Sequence, residues 1–287
     1  MVSVLLLLAA ALSGPLERPE RIISLSPSAA EILYAVGAFD RVVAVSRYCE
    51  YPEEVKKLPR VGGWTDTNLE QVLGLAPDLV VLTDAQAPFL EGRLQALGIR
   101  TLAVGSQSLE DIFQAVLAIG VTVGNESEAK ALSDRMRAEL QAIRDATAGR
   151  PRPSVLVVVD RIPGTLRDLY VATGKSYLTT LVEIAGGDPI LPEAQHNYTS
   201  LGTEALLALN PQVVFDMVQA LVAPVPVPGA ASLAEDPAAV WKTVSIRAVS
   251  NDRVYALTDK RLVHPSQFAV VAAREMAKRL HPGAEIP

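Results

Sequence analysis

The sequence predicts an α/β protein of two similar lobes joined by one long helix, and three observations predict it. Short β-branched runs alternate with helical stretches over residues 21–120, and the alternation restarts at Ser154. Between them, residues 125–148 repeat apolar positions at helical spacing. A short helix-turn-strand pattern also occurs twice: "NLEQVLGLAPDLVVL" at 68–82 and "GTEALLALNPQVVFD" at 202–216. Laying Glu70 on Glu204 pairs Leu73 with Leu207, Leu75 with Leu209, Pro77 with Pro211 and Val80 with Val214.

In the first lobe "RIISLS" reads as a strand and "PSAAEILYAVGA" as a helix opened by Pro27 and ended near Gly37. "RVVAVS", "DLVVLT" and "TLAVG" follow as strands. Such uniformly apolar runs belong to parallel strands covered on both faces. Ala129, Leu132, Met136, Leu140 and Ile143 then form the single narrow stripe of one amphipathic helix, ended by Gly149, Pro151 and Pro153. In the second lobe "SVLVVVD", "QVVFDM" and "RVYALT" read as strands, "SYLTTLVEIAGG" and "TEALLALNP" as helices, and 265–280 as a final helix. "VAPVPVPGAAS" at 222–232 reads as a loop. The expected units are 21–122, a linking helix over 123–149, and 153–287.

With 287 residues the chain is long for one domain and comfortable for two. It is 49% hydrophobic and 20% charged, enough to bury a sizeable core. A net charge of −6 argues against a general nucleic-acid binder, which needs a basic footprint. Residues 1–13, "MVSVLLLLAAALS", are too short to span a bilayer but suit the apolar region of an export signal, with Ala11 and Ser13 at the positions before cleavage. Cys49 is the single cysteine, which excludes an internal disulfide and a cysteine-based zinc site.

Glu70 and Glu204 each fall in the first turn of a helix, where a carboxylate meets the positive end of the dipole. Thr67 with Glu70 fits a capping box, whereas Leu201 holds the matching cap position in the second copy. One acidic residue per lobe either stabilises its own helix or offers a two-point docking surface to a basic partner.

Residues 41–70, "RVVAVSRYCEYPEEVKKLPRVGGWTDTNLE", resemble periplasmic substrate-binding proteins of the vitamin B12 and iron-siderophore type, which feed ATP-driven importers. So do "RIISLSPSAAEILYAVGA", "EIAGGDPIL" and "LVHPSQFAVVAAREMAKRLHP", and the resemblance runs from Arg21 onward. It implies two Rossmann-like lobes bridged by one rigid helix, with ligand in the cleft between them. It also implies an exported, monomeric carrier whose surface glutamates, here Glu70 and Glu204, meet arginines of a membrane permease.

Ligand contacts are expected in loops at strand ends facing the other lobe. Tyr48 and Trp64, the latter one of two tryptophans and preceded by Gly62 and Gly63, offer flat, stiff surfaces to a large planar ligand. In the vitamin B12-binding branch of the family, aromatic residues at those two positions line the corrin site. A further one precedes the second glutamate, where this chain has Tyr198 in place of tryptophan. Gln86 could hydrogen-bond peripheral amides. Arg161, Arg167 and Arg261 would suit an anionic ferric siderophore or haem propionates, or are surface charges. The ligand expected from the aromatic positions is cobalamin or a related corrinoid, with siderophore or haem as alternatives.

Trp241 reads as core, and Tyr177 and Tyr255 as core or rim. His196, His264 and His281 are too scattered for a direct metal-ion site, although His196 or Tyr198 could ligate a haem iron. No nucleophile elbow, P-loop or dinucleotide fingerprint supports an enzyme.

Overall fold

The computed structural model describes residues 18–64, 66–162, 164–217 and 239–287. The apolar start of the chain and the 222–232 loop lie outside them.

The first lobe runs β1 (Ile22–Ser24), α1 (Pro27–Ala35), β2 (Val42–Val45), α2 (Leu69–Gly74), β3 (Leu79–Thr83), α3 (Ala87–Ala96), β4 (Thr101–Val104) and α4 (Leu109–Val123). Its four strands are parallel, in the order β2-β1-β3-β4. All of β1 and β3 is buried, which explains their unbroken apolar sequence. The Ser26 hydroxyl caps α1 by accepting from the Ala29 N–H, and Pro27 opens the first turn where no N–H is needed. Ser108 and Asp111 form a reciprocal capping box on α4, and Gly124, at φ 72°, ends it in the left-handed conformation.

Helix α5 (Glu126–Thr147) is the predicted long helix, and its five predicted stripe residues are buried. It packs on α4 and on two helices of the second lobe, α6 (Tyr177–Ile184) and α9 (Ala269–Leu280). At the crossing with α4, a Cβ on Gly120 would lie 2.2 Å from the Cβ of Ala129. Only a glycine lets the two helices approach so closely.

The second lobe holds β5 (Ser154–Asp160), β6 (Leu169–Ala172), β7 (Asp188–Pro189), β8 (Tyr198–Leu201), α7 (Thr203–Leu209), β9 (Val213–Asp216), α8 (Arg247–Ser250) and β10 (Val254–Ala256). The strand order is β10-β9-β5-β6-β8, with β7 beside β5. Here the expectation of a parallel sheet needs correction: β6 and β8 are antiparallel to their neighbours. Their sequences, "LYVA" and "YTSL", are only four residues each, and β8 is mostly exposed, so neither gives the long apolar run that betrays a doubly covered strand. The last helix also starts later than predicted, at Ala269, because residues 264–268 form a turn in which Ser266 and Gln267 bond to Glu31.

One buried apolar cluster passes through the whole molecule, from Ile22 and Leu79 through Ile119, Met136 and Ile143 to Val155, Phe215 and Met276. Two smaller clusters complete the lobes separately. Fully burying one such side chain is worth about 1.5–3 kcal/mol. Parting the lobes would therefore open a core that they share.

Candidate ligand-binding site

Loops at the carboxyl ends of the two sheets come together. Lys260, after β10, reaches Glu50, after β2, at 2.5 Å. The Gln107 carbonyl, after β4, accepts from the Tyr177 N–H at 3.1 Å and from the Asn197 amide at 3.1 Å. This is the edge where a doubly wound sheet holds ligands.

On the first lobe the 47–51 and 61–68 loops are locked to each other. The Arg47 N–H donates to the Gly62 carbonyl at 2.7 Å, and the Arg47 guanidinium pairs with Asp66. Asp66 also accepts from the Gly63 N–H at 2.8 Å, while the Thr67 hydroxyl donates to the Gly63 carbonyl. The Gly63 N–H first, and Arg47 beside it, hold the Asp66 carboxyl below its usual range. Both glycines are required. Gly62 sits at φ 109°, and a Cβ on Gly63 would come within 3.0 Å of the Tyr48 ring. The result is a stiff platform from which Tyr48 and Trp64 project, 48% and 43% exposed.

On the second lobe Tyr198 is half-buried and stacks on Tyr170, ring centroids 5.6 Å apart. Burial pushes the Tyr198 hydroxyl well above its ordinary pKa, so it stays protonated. Tyr170 is the exposed member of the pair. It pairs in register with Asp160, at the carboxyl end of β5. Sequence reasoning missed it, although the in-out-in alternation of Leu169, Tyr170 and Val171 was the available signal. Phe89, in the first turn of α3, and Ile162, just after β5, are exposed as well.

Two predicted ligand contacts are corrected. Gln86 is wholly buried; its amide oxygen accepts from the Thr83 N–H and hydroxyl, and its NH2 donates to the Leu25 carbonyl. It braces β1 against β3 and has no face toward a ligand. Arg161 is buried in an ion pair with Asp216, Nε and Nη2 lying 3.0 and 2.9 Å from the carboxylate. Trp241, a core residue as predicted, donates its indole N–H to the same carboxylate at 2.7 Å. Of the other arginines, Arg261 is paired with Asp259, and Arg167 is exposed. His196 is exposed, His264 meets Glu31 and His281 is buried. Among the described residues no group of three or more His, Cys, Asp or Glu could hold a metal ion.

Glu70 and Glu204 occupy the same place in their helices, the second residue of α2 and of α7, and both are exposed. The cap of α2 is Asn68, whose side chain accepts from the Gln71 N–H, rather than the predicted Thr67. The reason is that the Thr67 hydroxyl is already committed to Gly63. Leu73 and Leu207, three residues on and hence on the same helix face, are also exposed.

A family model described as periplasmic binding protein matches residues 22–260. The chain is 30% identical over 216 residues to the vitamin B12-binding protein of Yersinia pseudotuberculosis, covering 74% of each. Among solved structures it is similar to the periplasmic vitamin B12 binding protein of Vibrio cholerae, at 26% identity and TM-score 0.75, covering 92% of this chain and 97% of that one. A periplasmic haem binding protein from Pseudomonas aeruginosa matches at 25% identity and TM-score 0.74, covering 93% and 94%.

Proposed function

Because the chain belongs to the periplasmic binding protein family, we propose that it carries a corrinoid in the cleft between its lobes and delivers it, chemically unchanged, to an ABC importer. The observation that carries this reading is the placement of exposed aromatic side chains at the facing sheet ends. Tyr48 and Trp64 stand on one lobe, with Tyr170 backed by Tyr198 on the other. Flat apolar walls of this kind suit a large macrocycle whose faces are apolar and whose edge amides remain hydrated. The division into lobes at 21–122 and 153–287, linked over 123–149, belongs to the same proposal, as do export and a monomeric carrier. The named relatives that bind vitamin B12 support it.

Haem is the second reading, favoured by the exposed His196, one of the two side chains expected to ligate a haem iron; the other, Tyr198, is half-buried and stacked on Tyr170. Calorimetric titration with cyanocobalamin, haemin and a ferric siderophore separates the readings. One-to-one binding of cyanocobalamin alone supports the proposal, and binding of haemin or the siderophore alone overturns it.

Glu70 with Leu73 and Glu204 with Leu207 form the proposed docking contacts, an acidic and an apolar group repeated once per lobe. Exposed ion pairs contribute up to about 1 kcal/mol each. Replacing both glutamates by alanine should thus weaken binding to the importer's membrane complex roughly 5- to 30-fold. Ligand affinity should not change; a fall in ligand affinity would reassign both residues to the cleft.

A further inference from the structure

Glu31 lies on α1 of the first lobe and is 1% exposed, yet the partners of its carboxylate come from the second. His264 Nδ1 is 2.6 Å from one carboxylate oxygen, and the Ser266 hydroxyl donates to the other at 2.5 Å. Gln267 adds a bond from its amide to the Glu31 carbonyl at 3.0 Å. The same 260–268 segment reaches the loop that bears Tyr48. Lys260 pairs with Glu50, Phe268 packs edge-on against Tyr51 at 5.1 Å, and the Arg261 guanidinium lies over both rings.

A carboxylate taken out of water costs several kcal/mol unless hydrogen bonds replace its hydration. Here the replacement is available only while the lobes hold this relative position. Parted lobes would leave Glu31 either dry and unbonded or hydrated in an opened core. The arrangement therefore has two states, bonded or flooded, with little between.

We propose that Glu31, His264 and Ser266 are positioning residues, a latch that fixes the angle between the lobes and holds the Tyr48 loop in place for ligand. The part that concerns ligand rests on the reading of the cleft as the binding site; the latch itself does not.

The test is the distance between the lobes, read by pulsed electron paramagnetic resonance on the full chain. Spin labels go on Arg93→Cys in α3 and Ala208→Cys in α7, both exposed. Cys49 stays unlabelled, being fully buried, with burial pushing its thiol up to about 11. The parent should show one narrow distance. Glu31→Gln removes the charge, and Ser266→Ala removes one donor while leaving the carboxylate. Each should add a second, longer distance, and dissociation of bound cyanocobalamin should be roughly fivefold or more faster. An unchanged single distance in either variant, with cooperative melting intact, overturns the latch. A parent that fails to bind cyanocobalamin would sink the ligand reading and leave the distance result to decide the latch.

Discussion

Trp64 and Tyr170 bear the weight of the ligand proposal at the scale of the residue, because each is exposed and they belong to different lobes. Truncating either to alanine should raise the dissociation constant for cyanocobalamin roughly 5- to 30-fold, corresponding to about 1–2 kcal/mol of lost aromatic contact. Titration of the two variants checks this, and an unchanged constant in both would remove the aromatic walls from the site. Arg161 should behave in the opposite way. Arg161→Ala removes the cation that neutralises the buried Asp216 carboxylate, at a cost of about 3–5 kcal/mol, so chemical denaturation should register it strongly. Equal stability of parent and variant would show that the pair carries no such load. These contrasts mark how far the residues could be read from sequence. The exposure of Tyr48 and Trp64 was legible because paired glycines and a rare aromatic in a loop make poor core candidates. Gln86 and Arg161 were misread because nearness to a strand end does not say which way a side chain turns. Both turn inward, where buried backbone groups and a buried carboxylate need them.

At the scale of the element, the crossing of α4 and α5 is the tightest constraint in the fold. Gly120→Ala places a methyl where Ala129 already sits, and overpacking of this kind costs about 1–3 kcal/mol. The change should lower the melting temperature cooperatively, whereas Gly74→Ala, with nothing within 4 Å, should be close to neutral. Helix α5 was legible almost to the residue, since its stripe is periodic and its end is punctuated by Gly149 and two prolines. The repeat that builds α2 and α7 was legible for a similar reason. Strands β6 and β8 were not, because each is only four residues long, Tyr170 breaks the buried run of β6, and β8 is mostly exposed. The 260–268 segment was illegible for a deeper reason. Its partners lie more than two hundred residues away, and nothing local distinguishes a serine that meets a distant glutamate from one that meets water.

The molecule as a whole is governed by the core that its lobes share. Small-angle scattering should give nearly equal radii of gyration with and without ligand, and a marked compaction would contradict a shared core. Stability should depend on pH through His281, at the end of α9. Its ring is 7% exposed and its Nε2 has no partner among the described residues. Burial lowers its pKa, so the unfolded chain binds a proton more readily than the folded one. The contribution is complete above the ordinary value near 6.5 and drains away as the pH falls from there through the lowered native value. Urea midpoints measured between about pH 7.5 and 5.5 should therefore fall, and His281→Asn should flatten that fall. An identical slope in the variant would clear His281 of the effect.

On the proposed function, a shared core also limits what the protein can signal about its load. Glu70 and Glu204 are mounted on lobes that cannot part freely, so the gap between them is a fixed ruler. If the proposed docking holds, empty and laden molecules present nearly the same posture to the importer, and empty ones compete for its entrance. On that reading, the news that cargo has arrived has to be read inside the mouth of the cleft, from the ligand itself.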